Sequence, residues 1–528
     1  MKHFYITTPI YYVNDAPHLG HAYCTIVADA LARFHRMRGV DTRLLTGTDE
    51  HGQKIEEAAA ERGLTPIALA DQVVERFRAT WQKLDIQLDD FIRTTEDRHK
   101  RVVDALWRRI AARGDLYLGH YEGWYCVSCE AYYTETQLGE DKTCPTHKRP
   151  VTWMAKQPSY FFRMSKYQDA LLEHIERHPD FIQPENFKNE VISFVKSGLR
   201  DLSVSRTTFR WGIPVPDDAD HVIYVWMDAL TNYISSLGDL DSPGHQRYWP
   251  ATCHLIGKDI LRFHAVYWPC FLLSAGLPLP RTILTHGWWS VRGEKIAKSM
   301  PATRVDPNVL ADDIGVDAVR YFLLREVPLG LDGDFTYEAL IGRYNADLAN
   351  DLGNLRNRTL TMAGKFCDRR VPKPAPDRFA GASEPASPHA ALASVAAAGA
   401  CDAAMHFESY APSKALDAIW RLVREANRYV DTCQPWVLAR DPARRAELDH
   451  CVYTFLEAAA WAARMVAPVM PEKARAILAQ LGFDGAALSA ALSVWPDAEA
   501  FFSELAVGQA LGQPTPLFPR IDEARATA

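Results

Sequence analysis

The chain reads as an α/β protein, a doubly wound parallel-sheet (Rossmann-like) domain that carries an insertion and is followed by an α-helical bundle. Three observations predict this. The apolar run Phe4-Tyr5-Ile6-Thr7-Thr8-Pro9-Ile10-Tyr11-Tyr12 gives way, after a short turn, to Ala22-Tyr23-Cys24-Thr25-Ile26-Val27-Ala28-Asp29-Ala30-Leu31, where apolar residues recur at helical spacing. Strand-like runs then alternate with amphipathic helices, at 67–77 and 102–112, as βαβ units require. Further on, Leu348, Leu352, Leu355 and Met362, then Leu416, Ile419, Val423, Ala426 and Val430, each follow one helix face.

In chain order, residues 1–115 are the first half of the parallel-sheet domain. Residues 116–218, rich in aromatics and turn residues, are a connective insertion. Residues 219–290 are the second half, where His221-Val222-Ile223-Tyr224-Val225-Trp226, Cys253-His254-Leu255-Ile256-Gly257 and Arg281-Thr282-Ile283-Leu284-Thr285 read as strands restoring the parallel pattern. The uncharged stretch 263–280 contains His264, Pro269, Ser274, Pro278 and Pro280 and reads as a buried helix with its exit turn rather than a membrane span. Residues 291–345 are a loop and connecting segment, and 346–528 the helical domain. Within it, 372–400 is rich in Pro, Ala and Ser and reads as a loosely ordered connection. The tail Gln513-Pro514-Thr515-Pro516-Leu517-Phe518-Pro519-Arg520 cannot form regular helix and is expected to lie back on the body.

At 528 residues the chain exceeds the size of one hydrophobic core, so several domains are the default. Hydrophobic residues at 48% and charged residues at 24% describe a soluble protein, with no membrane partner. A net charge of −7 argues against holding nucleic acid by bulk electrostatics, although a local basic stripe could still carry phosphate contacts. No cationic segment with an apolar core opens the sequence, so the expected compartment is the cytoplasm.

The ten cysteines matter through their clustering. Cys126-Val127-Ser128-Cys129 and Cys144-Pro145-Thr146-His147 form two C-x-x-(C/H) hairpins with fourteen residues between them. That spacing predicts one structural Zn2+ per chain, ligated by Cys126, Cys129, Cys144 and His147, since a closed tetrahedral set leaves no position for a substrate water. Glu122, Glu130, Glu135, Glu140 and Asp141 surround the ligands and disfavour a nucleic-acid-reading module.

His18-Leu19-Gly20-His21 sits on the first strand-to-helix turn, where a helix N-terminus offers unpaired N–H groups to phosphate. Two histidines can donate to phosphate oxygens, and a glycine at 20 keeps no Cβ in the way of a nucleotide. With Lys295-Ile296-Ala297-Lys298-Ser299 far downstream, the pair resembles the HIGH and KMSKS signatures of class I aminoacyl-tRNA synthetases. The segments 8–21, Thr46-Gly47-Thr48-Asp49-Glu50-His51-Gly52, Tyr224-Val225-Trp226-Met227-Asp228-Ala229-Leu230 and Ile256-Gly257-Lys258-Asp259-Ile260 resemble methionyl-tRNA synthetases in particular, over residues 4–475.

The resemblance implies activation of L-methionine with ATP and Mg2+ to methionyl-adenylate, then transfer to the 3′ end of tRNA(Met), initiator and elongator, by a monomer. It implies catalytic roles for His18, Gly20, His21, Lys295, Lys298 and Ser299. His18, His21 and Lys298 would hold the phosphates, and Gly257, Lys258 and Asp259 the ribose and adenine side. Asp49 would take the ammonium group, Arg206 would be a substrate-side arginine, and Ile10, Tyr12, Trp226, Ala229, Tyr233 and His286 would line the methionine pocket, with the Tyr233 hydroxyl donating weakly to sulfur. Asn354, Arg358, Pro435 and Trp436 would read the anticodon in the helical, anticodon-binding domain. The chain departs from the common form at Ile296, Ala297, Met300 and Pro301, and carries Thr285 where an aromatic often precedes the histidine. Synthetases for valine, leucine and isoleucine need an editing insertion longer than 116–218. A cysteinyl enzyme would place zinc in its pocket, a small nucleotidyltransferase would leave the helical domain idle, and a nonenzymatic RNA-binding descendant would have no use for both histidines and both lysines.

Overall fold

The computed structural model describes residues 3–126, 131–133, 135, 138–145, 149–295, 305–375, 387–497 and 504–522. The chain divides into two compact units, Met1–Ala28 with Asp41–Trp288, and Asp29–Val40 with Trp289–Ala528.

The first unit opens with β1 (His3–Tyr12) and α1 (Leu19–Met37), then β2 (Asp41–Asp49), α2 (Gln53–Glu61), α3 (Pro66–Lys83), β3 (Asp90–Arg93) and α4 (Asp97–Ala112). The middle segment supplies β4 (Leu116–Cys126), β5 (Ala131–Tyr133), β6 (Thr152–Phe162), α5 (Gln168–Arg177), β7 (Ile182–Gln183), α6 (Glu185–Lys196) and β8 (Leu202–Ser203). Next come β9 (Ser205–Arg206), β10 (Pro214–Val215), β11 (Asp218–Ile223), α7 (Val225–Leu230), α8 (Asn232–Ser235) and α9 (Pro243–Tyr248). β12 (Cys253–Gly257), a π-helical turn (Phe263–Tyr267), α10 (Trp268–Ala275) and β13 (Thr282–His286) complete it.

The main sheet is parallel, in the order β3-β2-β1-β12-β13-β7. The central strands β1, β12 and β13 are largely buried on both faces, as in Phe4, Tyr5, Ile6, Leu255 and Ile283, which is why they read as nearly continuous apolar runs. The segment expected to be an insertion makes an antiparallel sheet, β5-β4-β6-β8, but it also returns β7 to the edge of the parallel sheet, where Ile182 pairs with Ile283. Two residues of strand are too few to leave a periodic signal.

The run 221–226 departs from expectation. Val222 and Ile223 pair antiparallel with Arg206 and Ser205 in a separate small sheet, and Val225 onward is helix α7. Six apolar residues do not separate a buried strand from a buried helix by periodicity alone. The stretch 263–280 is the expected buried helix, ending at Gly276 in the left-handed conformation (φ 69°).

The second unit holds β14 (Trp289–Val291), β15 (Glu294–Lys295), α11 (Pro307–Ile314), α12 (Val316–Glu326), β16 (Gly333–Phe335) and α13 (Tyr337–Arg343). A π-helical segment (Tyr344–Gly353) runs into α14 (Asn354–Phe366). The rest is α15 (Pro388–Glu408), α16 (Pro412–Cys433), α17 (Pro435–Leu438), α18 (Arg445–Val466), α19 (Pro471–Gln480) and α20 (Gly485–Ser493). This unit therefore starts well before residue 346 and includes the second half of α1. There Phe34 stacks on Phe407, 4.9 Å between ring centres, and Asp29 pairs with Arg33 and with the fully buried Arg320.

Part of the stretch read as loose connection is the 21-residue helix α15. Alanine has the highest helix propensity, Pro388 sits at the first turn where its missing N–H costs nothing, and the Ser387 side chain accepts from Ala390 N–H. By length and composition alone α15 could cross a membrane, but it packs along α16 and buries Leu392, Ala396, Ala400 and Phe407. The tail lies back as expected. Phe518 is edge-on to Tyr344, and Ile521 N–H donates to Asn345.

Candidate active site

β1, β2, β12 and β13 all end at the carboxyl edge of the parallel sheet, where Tyr12, Asp49, Gly257 and His286 are the last residues of their strands. His18 directly precedes α1, with Gly20 and His21 in its first turn. The two imidazoles stack, ring centres 3.7 Å apart. His18 Nδ1 accepts from Gly20 N–H at 3.1 Å, and His21 Nδ1 accepts from His18 N–H at 3.2 Å. Each ring thus satisfies an orphan donor of the helix start, and each carries its proton on Nε2, the tautomer that makes Nε2 a donor. Gly20 matters for a reason sequence reasoning missed. A Cβ there would lie 3.0 Å from His18 Cε1, so the missing side chain makes room for the imidazole itself.

Gly257 ends β12 and caps the short turn Lys258–Ile260. A Cβ on Gly257 would meet Asp259 Oδ1 at 2.7 Å. That carboxylate accepts from Trp288 Nε1 at 3.1 Å, while Lys258 Nζ lies 4.2 Å above the same indole. His286 belongs to this group. It stands opposite Gly257 in register, is edge-on to Tyr23, and donates from Nδ1 to the Gly287 carbonyl at 2.7 Å. Burial pushes its pKa down.

On the other side of β1, Tyr12 pairs with Asp49 and Ile10 with Gly47. Asp49 is 3% exposed. Trp226, on α7, stacks face to face on Phe263 with 3.8 Å between centres. Tyr233, on α8, bonds to His264 at 2.7 Å. Two further contacts bear on the expected chemistry. His264 Nδ1 donates to the Ile260 carbonyl at 3.0 Å, so its Nε2 is the acceptor and takes the Tyr233 proton, which is then not aimed at a substrate sulfur. The imidazole beside Tyr233 and the aromatic beside Trp226 are His264 and Phe263, from the π-helical turn, whereas His286 stands across from Gly257. The π-helical geometry often marks function, but its sequence reads only as buried helix.

Arg206 is 6% exposed. Its Nη1 donates to the Ser203 and Ser205 carbonyls at 3.3 and 2.7 Å and to Ser203 Oγ at 2.9 Å, and its guanidinium lies 4.6 Å above Tyr224. A buried carboxylate that sequence reasoning passed over, Asp228 on α7, receives His51 Nδ1 and His99 Nε2, each at 2.7 Å. The nearest signal was its place in the segment 224–230.

In the second unit, Asn354 and Arg358 lie one turn apart on α14, with Asn354 exposed. Arg358 Nη2 pairs with Asp431 at 2.5 Å. Gln434, in the left-handed conformation (φ 45°), ends α16, Pro435 is buried beneath the turn, and Trp436 is 38% exposed. Lys295 ends the β14–β15 hairpin, its backbone opposite Ser290. Lys298 and Ser299 lie outside the described residues, as do Cys129 and His147. Of the four expected zinc ligands, Cys126 and Cys144 are described, and both are buried in one small cluster with Val151. Cys144 N–H donates to the Arg149 carbonyl at 2.8 Å. Among the described residues no group of three donors is assembled.

The parallel sheet, the imidazole-capped helix at its carboxyl edge and the helical second unit define a class I tRNA synthetase: the profile described as "tRNA synthetases class I (M)" matches residues 4–152 and 147–360. The profile for "Anticodon binding domain of methionyl tRNA ligase" matches residues 380–528. The methionine–tRNA ligase of Caldanaerobacter subterraneus subsp. tengcongensis is 46% identical over 99% of this chain and 79% of its own, and that of Mycobacterium tuberculosis 49% identical over 98% of each. The solved M. tuberculosis methionyl-tRNA synthetase in complex with methionyl-adenylate superposes with a TM-score of 0.91 at 48% identity, covering 98% of this chain and all of that one. The chain belongs to the methionine–tRNA ligase family, and is a ligase that forms aminoacyl-tRNA.

Proposed function

We propose that the chain activates L-methionine with ATP and charges both initiator and elongator tRNA(Met) in the cytoplasm, as a monomer. The stacked pair His18 and His21 carries this reading, because two imidazoles locked as Nε2–H donors at a helix N-terminus form a preorganised phosphate site. Attack of the methionine carboxylate on the α-phosphate builds charge on the phosphoryl oxygens and expels pyrophosphate. Fixed donors and cations lower that barrier without a protein nucleophile. His18 and His21 donate to the phosphates, and Lys295, Lys298 and Ser299 add positive charge and a hydroxyl. Gly257, Lys258 and Asp259 receive ribose and adenine, and Mg2+ enters with ATP.

Asp49 takes the ammonium group, and Ile10, Tyr12, Trp226, Ala229 and Tyr233 line the thioether pocket, joined by Phe263 and His264. Arg206 supports the pocket from β9, and His286 closes its nucleotide side. Asn354, Arg358, Pro435 and Trp436 take the anticodon bases. Cys126, Cys129, Cys144 and His147 would hold one zinc. Cys126 and Cys144 are both buried in the same small cluster, which suits this assignment, and the bonds to zinc would stabilise the antiparallel segment.

ATP–pyrophosphate exchange with each of the twenty amino acids, without tRNA, tests the reading. Exchange with methionine alone is the expected result, and exchange with another amino acid would overturn the pocket. Lys298→Ala should slow exchange by orders of magnitude while sparing methionine binding.

A further inference from the structure

Asp228, His51 and His99 are all buried, and none has a part in the roles above. Asp228 lies on α7 between Trp226 and Ala229. Its Oδ2 receives His51 Nδ1 and its Oδ1 receives His99 Nε2, both at 2.7 Å. His51 is two residues beyond Asp49, just past the end of β2. His99 is on α4, and its Nδ1 meets Ser235 Oγ at 2.8 Å, on α8 two residues beyond Tyr233. One carboxylate therefore ties the end of β2, which bears Asp49, to both short helices that bear the pocket's side chains.

The β2 end is itself held firmly. The Glu50 carboxylate takes Arg93 Nε and Nη2 at 2.7 and 3.0 Å, and the Glu50 carbonyl accepts from Trp211 Nε1 at 2.5 Å. The His51 ring is edge-on to that same indole, 5.5 Å between centres. Burial alone would raise the Asp228 pKa, but His51 and then His99 hold it at about 2, so the carboxylate keeps its charge and its two imidazole bonds. Such a network costs much to leave half-satisfied, and it locks the elements it joins.

We propose that Asp228 is a positioning residue: through His51 it fixes α7 against the end of β2, and through His99 and Ser235 it fixes α8. It thereby sets the span between the carboxylate that receives the amino acid's ammonium group and the aromatic wall that receives its side chain. The proposal rests on the assignment of Asp49, Trp226 and Tyr233 to the methionine site. It makes recognition of the two ends of the amino acid interdependent, which a network serving only stability would not do.

The test compares methionine with 4-(methylthio)butyrate, which keeps the thioether chain and carboxylate but lacks the ammonium group. In pyrophosphate exchange, Asp228→Asn should raise the KM for methionine by about tenfold or more, while the KM for ATP and the inhibition constant of 4-(methylthio)butyrate stay within about twofold. Parallel weakening of both ligands, or no change in either, would overturn the positioning role. His99→Gln should give the same selective pattern in smaller measure, and serves if Asp228→Asn does not fold. Asp49→Asn separates the two assignments. It should weaken methionine and spare 4-(methylthio)butyrate, and an unchanged methionine KM there would overturn the site assignment, and this proposal with it.

Discussion

Tyr233 donates its hydroxyl proton to His264 Nε2 across 2.7 Å, because the other nitrogen of that ring is committed to the Ile260 carbonyl. Tyr233→Phe therefore leaves a buried acceptor unsatisfied, and should cost roughly 1–3 kcal/mol of stability. Urea unfolding of the two proteins measures this. An unchanged midpoint would mean that this hydrogen bond contributes nothing to stability.

The same burial makes stability depend on pH. His264 is pushed down to about 4 from its ordinary 6.5, so in the folded chain it stays neutral where the unfolded chain binds a proton. Stability is unaffected above pH 6.5, and falls on acidification from there to about 4, by about 1.4 kcal/mol per pH unit for this one group. His254, also lowered by burial, acts in the same direction. Asp228, held at about 2, keeps its charge through that window, and its contribution is lost only as the pH falls below about 4. Urea midpoints at pH 7, 6 and 5 should fall in sequence, and a flat profile would contradict the neutral state of these rings.

Gly20→Ala separates activity from stability. Alanine is the better helix former by about 1 kcal/mol, which offsets the cap lost when the His18 ring leaves the Gly20 N–H, so stability should change little. Its Cβ, 3.0 Å from His18 Cε1, should displace the imidazole and slow methionyl-adenylate formation by about 10- to 100-fold. Exchange kinetics beside thermal unfolding would show both effects.

Trp436→Ala should weaken tRNA charging by the worth of one stacked base, roughly 1–3 kcal/mol, and leave pyrophosphate exchange unchanged. Its indole is 38% exposed, which suits a stacking platform. Equal loss in both assays would mean that the indole supports packing instead.

Metal analysis of the purified protein should find one zinc per chain. Cys144→Ser should remove it and expose the segment between β4 and β6 to limited proteolysis. Full zinc content in that variant would place the metal elsewhere.

What could be read along the chain was whatever local periodicity and spacing encode. β1, β12 and β13 stand out because burial on both faces makes each a nearly continuous apolar run, and His18 to His21 stands out because a helix start must follow β1. α15 was legible in principle, since alanine content and a serine cap announce a helix, but its proline and serine flank masked it. Tertiary structure alone decided which imidazole meets Tyr233, because the π-helical turn that presents Phe263 and His264 looks in sequence like any buried helix. It alone brought β7 back to the sheet edge, and joined Asp228 to His51 and His99, 177 and 129 residues away. Hydrogen-bond partners so far apart leave no periodic trace, and the direction of a proton between two rings is settled only by what the next nitrogen touches.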